Sequence, residues 1–222
     1  MPVGVDLVWN QANKSNYTCN TSVKIGAGWR LSTVEYIAAT TGEIAETFPY
    51  VFVDGDGTEH FFMKKDSDTE FYLETNDTVK LIKGTDPILK IVDEQGNEKI
   101  FNHTNSVGDA IYQTMYMKTA DKDPNGNTRT YNWSQYSQLT SVSDSSGRSV
   151  QFSYLGTPGG GNNHLDKITD YAGRETKFYY SSGARHLIKI ELPNGDNIDF
   201  TYDGADLMTN ATNQMCIRDR NK

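Results

Sequence analysis

Cysteine is nearly missing from this chain: Cys19 and Cys216 are the only two among 222 residues. Two are too few for a disulfide framework or a structural zinc site. Long apolar runs are missing as well, and none approaches the roughly twenty residues of a membrane-spanning helix. The opening MPVGVDLVWNQ has no basic start, apolar middle or small-residue cleavage site, so it does not read as a signal peptide. It reads as a strand already under way, with Val3, Val5 and Leu7 alternating, and suggests a chain cut from something longer. Basic residues are outnumbered, 21 Lys and Arg against 29 Asp and Glu, and they form no block. Nucleic acid is therefore not an expected partner, because phosphate recognition needs a clustered positive footprint.

Only 36% of the residues are hydrophobic, yet 11% are aromatic. That balance suits thin twisted sheets with large rings on one face better than a thick globular core.

What the sequence does contain is one phrase written three times: LTSVSDSSGRSVQFSY from Leu139, LDKITDYAGRETKFYY from Leu165 and LIKIELPNGDNIDFTY from Leu187. Leucine to glycine is eight positions in each copy (Gly147, Gly173, Gly195), and glycine to aromatic is five (Phe152, Phe178, Phe200). A fixed period of this kind marks a repeat protein. Asp144 and Asp170 stand at the first position of a tight turn, with Gly147 and Gly173 at the fourth, so each copy has a hairpin tip. Beyond the tips Phe152 and Tyr154, Phe178 and Tyr180, and Phe200 and Tyr202 alternate with the period of a half-buried strand. A lone hairpin is marginal in water, so the copies are expected to pair edge to edge.

The phrase persists upstream in weaker form. Asp54 with Gly57 and Asp93 with Gly96 hold the same offsets, and Asp123 with Gly126 forms another tip, followed by Tyr131 and Trp133. The expected organisation is an N-terminal β region over 1–47 with a GAGWRL turn, degenerate hairpins over 48–120, and regular repeats over 121–207. Residues 208–222 are expected to lack structure. Residues 64–83 read as one more hairpin, and for 102–120 a short helix and an irregular strand fit equally well.

The phrase D-x-x-G-[RN]-x-x-x-[FY]-x-Y with L-x-x-I before it, including Arg148 and Arg174 after their glycines, resembles the RHS/YD repeat. GAGWRL followed by VDGDGTEHFF resembles the region that opens such arrays in bacterial wall-associated and RHS proteins. The namesake Tyr-Asp pair occurs once among the copies, as Tyr202-Asp203. The resemblance implies an all-β fold of tandem β-hairpins in an elongated, twisted antiparallel sheet, an open strip of the β-shell that complete members build. It further implies a secreted or cell-surface bacterial protein whose partners are the rest of its own chain, including a C-terminal toxin domain, or cell-surface glycans. The final stretch from about residue 214, QMCIRDR, resembles translated adapter read-through, on which reading Cys216 is not biological.

Candidate chemistry is sparse. His60, His103, His164 and His186 have no metal-ligand spacing. Asp54-Gly55-Asp56-Gly57 begins like a calcium loop, but the bidentate acid expected eleven residues after Asp54 is Lys65, which excludes an EF-hand. No Ser or Cys sits in a nucleophile-elbow context. The expectation is a non-enzyme without cofactor or metal, in which Trp133 is the candidate for stacking on a sugar.

Overall fold

A computed structural model describes residues 4–10, 23–65, 67–106, 112–157, 163–184 and 186–214. Cys19 and Cys216, most of the polar link between Asn10 and Thr21, the middle of the glycine-rich link after Tyr154 and the stretch from 215 lie outside the described residues. The chain divides into two compact units: Met1–Val8 with Arg30–Ser149, and Trp9–Trp29 with Val150–Lys222. Two short strands, β1 (Leu7–Trp9) and β2 (Trp29–Leu31), pair with each other, and the boundary between the units passes through both.

The first unit is built on strands β3 (Tyr36–Thr40), β4 (Tyr50–Val53), β5 (Glu59–Lys64), β6 (Glu70–Leu73), β7 (Asn76–Lys83), β8 (Leu89–Val92), β9 (Glu98–Ser106) and β10 (Tyr112–Lys122). A single one-and-a-half-turn helix, α1 (Glu43–Thr47), connects β3 to β4. Each strand pairs antiparallel with the next, and β10 pairs both with β9 and with β3. The result is a closed eight-stranded barrel. An open strip along the whole chain is therefore the wrong expectation for this part. Closure removes two sheet edges that would otherwise stay unpaired, and eight strands enclose a space that side chains can fill. Period-two alternation sends Ile37, Phe62, Leu81, Leu89 and Phe101 into that space, none more than 2% exposed. Each such side chain contributes roughly 1.5–3 kcal/mol of burial. The stretch 102–120 takes the strand alternative, with β9 running to Ser106 and β10 starting at Tyr112; the residues between lie outside the described ones.

β10 is long enough for two jobs. Its first half, Tyr112 to Met117, pairs with β3, and its end, Ala120 to Lys122, pairs with β11 (Thr128–Trp133) outside the barrel. Register shifts at Met117/Lys118 and Lys118/Ala120 mark the place where one partner is exchanged for the other. β12 (Leu139–Asp144) follows β11 in the same unit.

The second unit continues as a meander of hairpins: β13 (Ser149–Tyr154), β14 (Leu165–Thr169), β15 (Glu175–Tyr180), β16 (Leu187–Glu191), β17 (Asn197–Tyr202) and β18 (Met208–Gln214). Met208–Gln214 is thus a paired strand, where the sequence suggested an unstructured tail. On one face Phe152, Leu165, Phe178, Leu187, Ile190 and Phe200 are buried. In the same unit Val23, Ile25 and Ala27, at alternate positions, are also buried, being 6%, 1% and 2% exposed.

Candidate functional site

The repeated residues divide into tips and joints. At the tips Gly57, Gly96, Gly126, Gly147 and Gly173 each donate their N–H to the carbonyl of Asp54, Asp93, Asp123, Asp144 and Asp170, at 2.9–3.1 Å. The aspartate carboxylate then accepts the N–H groups two and four residues on, as Asp144 does from Ser146 at 2.9 Å and Arg148 at 3.1 Å. Arg148 and Arg174 fold back on their own aspartates through Nε, at 2.8 and 2.6 Å. Asn97 and Asn127 fill that place at 2.8 and 2.7 Å. These contacts hold the Asp144 and Asp170 carboxyls below the usual carboxylate range, the Arg148 side chain contributing most at Asp144 and the Arg174 backbone N–H at Asp170. The third copy has Leu192 in the first position, and there Asn194 takes over by accepting the Asp196 N–H at 3.1 Å. Gly195 retains a φ of 87°.

Gly55 answers a different demand. A Cβ there would stand 2.1 Å from the Ser32 carbonyl oxygen, so the turn at Asp54 can lie on that backbone only without a side chain.

At the joints the last aromatic of a copy closes back on its beginning. Tyr180 donates its hydroxyl to the Leu165 carbonyl at 2.6 Å, and Tyr202 donates to the Leu187 carbonyl at 2.7 Å. In the first unit Trp133 donates its indole N–H to the Lys118 carbonyl at 2.8 Å. The separation is fifteen residues in all three. A register shift falls at each of these aromatics, Asn132/Trp133, Tyr179/Tyr180 and Thr201/Tyr202, which turns the ring from its strand toward the waiting carbonyl. Tyr180 and Tyr202 have their hydroxyl pKa pushed up chiefly by burial. A histidine lies against each ring: His103 on Trp133 at 6.0 Å, His164 on Tyr180 at 5.0 Å and His186 on Tyr202 at 4.5 Å. The turns following Trp133 and Tyr202 are built like the tips, on Ser134 and Asp203, with Ser137 and Asp206 at φ 56° and 62°.

Trp133, the candidate for sugar stacking, thus has its N–H spent on the backbone and one side of its ring on His103. Phe152, Phe178 and Phe200 are 6%, 3% and 7% exposed and serve the buried face.

A charged cluster, which the repeat pattern did not point to, sits where β10 changes partner. Lys118, 3% exposed, reaches Glu35 at 2.5 Å and Asp121 at 3.3 Å, and its ammonium lies 4.4 Å from the centre of the Tyr131 ring. Lys99 binds the same Glu35 at 2.8 Å, and Arg129 stands 3.9 Å from Asp121. The Tyr131 hydroxyl donates to Asp121 at 2.5 Å, and burial above all, then the Asp121 charge, raises its pKa. Each carboxylate is shared between cations, so the cluster binds Glu35, just before β3, to β9 and β10 across 64 and 83 residues of sequence. Its groups are occupied with one another, an arrangement suited to fixing backbone.

A shallow groove of about 410 Å³ on the second unit is lined by Leu155, Asp166, Lys177 and Tyr179 among others. Lys177 and Tyr179 are paired there with Glu191 at 3.6 and 2.9 Å. Among the described residues no three His, Cys, Asp or Glu side chains stand together as metal ligands. Compared with known families and curated proteins, the chain matches no family model and no curated protein.

Proposed function

We propose that this chain is a non-catalytic structural segment of an exported bacterial RHS/YD-repeat protein, part of a β wall that encloses or displays a C-terminal toxin domain. The observation that carries the reading is where the repeated polar groups are spent. The tip aspartates are used on their own turns, and the terminal aromatics join the end of each copy to its start. Side chains repeated for chemistry would converge on a cleft, whereas these are distributed along the sheet, each closing on a carbonyl fifteen residues back in its own copy. A wall built by adding hairpins needs this kind of local, self-contained joint, because each copy then brings its own closure.

A glycan array separates this reading from a surface carbohydrate-binding module. The expected result is no saturable binding by the 222-residue chain. Saturable binding that is lost in Trp133→Ala, with the circular dichroism spectrum retained, would overturn the wall reading in favour of sugar recognition.

A further inference from the structure

Residues 23–28 are a strap in the second unit that stands outside its hairpin meander. Among the described residues it meets the meander at both ends. Lys24 forms a parallel bridge with His164 and accepts the Leu165 N–H at 2.8 Å. At the other end Trp29 meets Phe200 edge-on at 4.8 Å and donates its indole N–H to the Tyr202 hydroxyl at 2.8 Å.

His164 is unlike the other histidines. His60 and His186 each have a carboxylate oxygen at 2.9 Å, from Asp54 and Asp206. His103 has the Ser137 hydroxyl at 3.0 Å. His164 is 6% exposed, and its Nδ1 has no hydrogen-bond partner. The groups that face it are Lys24 from the strap, a cation, and the Tyr180 ring from β15, with Asp166 and Tyr154 acting on Tyr180 beyond it. A proton arriving on this ring finds a buried site and a neighbouring positive charge, and both oppose it.

We propose that His164 is an acid-sensitive latch, whose protonation releases the strap of residues 23–28 from the hairpin meander and exposes its buried apolar residues. Burial, then the charge of Lys24, holds the imidazole below its ordinary value. The open form therefore binds the proton more tightly than the closed form. Closure is at full strength above about pH 6.5, the ordinary histidine value, and weakens as the pH falls through it toward the depressed value. One site of this kind shifts the opening equilibrium by up to about tenfold per pH unit in that window.

The test is hydrogen exchange of the 23–29 peptide between pH 7.5 and 5.0, corrected for intrinsic rates, in the 222-residue chain and in His164→Gln. The expected result is opening that grows several-fold to tenfold per unit below about pH 6.5 in the parent, and a flat profile in the variant. An unchanged parent profile, or the same acceleration in His164→Gln, overturns the proposal. Should His164→Gln not fold, the imidazole C–H resonance of the parent decides. A midpoint well below 6.5, coincident with strap exchange, is expected, and one at or above 6.5 refutes the latch.

Discussion

Tyr202→Phe and Tyr180→Phe differ from the parent by one oxygen atom each, and the joints assign those two atoms unequal work. The Tyr180 hydroxyl makes one assigned bond, to the Leu165 carbonyl at 2.6 Å. Its loss costs the net bond and leaves an inward acceptor short of a donor, about 1–2 kcal/mol together. The Tyr202 hydroxyl donates to Leu187 at 2.7 Å and also accepts from the Trp29 indole at 2.8 Å. Its removal strands a second polar group and is expected to cost about 2–3 kcal/mol. Tyr171, 65% exposed on a turn, serves as the control, and Tyr171→Phe should leave the midpoint unchanged. Urea unfolding followed by tryptophan emission and far-ultraviolet circular dichroism reads the difference, with a constant m-value showing that stability alone has moved. An ordering in which Tyr180→Phe costs as much as Tyr202→Phe, or a cost below about 0.5 kcal/mol for both, would refute the role given to the joints.

Gly173 sits at φ 79° with nothing within 4 Å of a would-be Cβ, so Gly173→Val pays only for backbone conformation, about 1–2 kcal/mol, and Gly173→Asn should pay less. Gly55→Ala, by contrast, drives a methyl to 2.1 Å from the Ser32 carbonyl, and a loss of about 3 kcal/mol is expected by the same urea titration. Lys118→Met leaves Glu35 and Asp121 buried with fewer cations and should destabilise the first unit by about 3 kcal/mol or more, partly recovered in the double variant Lys118→Met/Glu35→Gln. Asp144 and Asp170 have depressed pKa values, so their contribution is complete above the unfolded carboxylate value near 4 and is lost as the pH falls below it. Acid unfolding of Asp144→Asn/Asp170→Asn should accordingly be less steep below about pH 4, well separated from the histidine window.

The tips were legible in the sequence because their chemistry is local: Asp144 and Gly147 meet within four residues, and any chain with that spacing would turn there. Arg148 and Arg174 recur directly after their glycines, but that place alone does not show that each folds back on its own aspartate. The joints left a signal, since Leu165 to Tyr180 and Leu187 to Tyr202 are both fifteen residues, but spacing alone does not show that a hydroxyl rather than a ring is what matters. Trp133 hides the same joint, because its acceptor is Lys118 and not a leucine. Barrel closure was not legible. It depends on β10 finding β3 more than seventy residues earlier, and the alternation that allows this pairing would serve an open strip equally well. The partners in the Glu35–Lys118 pair, 83 residues apart, carry no mutual pattern at all. Gly55 stands in the sequence only as one residue of an acidic turn, because what excludes its side chain is a carbonyl distant in sequence, at Ser32.

That this chain is a length of wall in a longer repeat protein is a proposal, and the natural gene read through and beyond residue 214 decides it. Many further copies of the phrase are expected, each with an aromatic donor fifteen residues after its first leucine, followed by an unrelated terminal domain. A gene that stops close to residue 214 with no further copy, or that turns at once into a sugar-binding or anchoring segment, would contradict it.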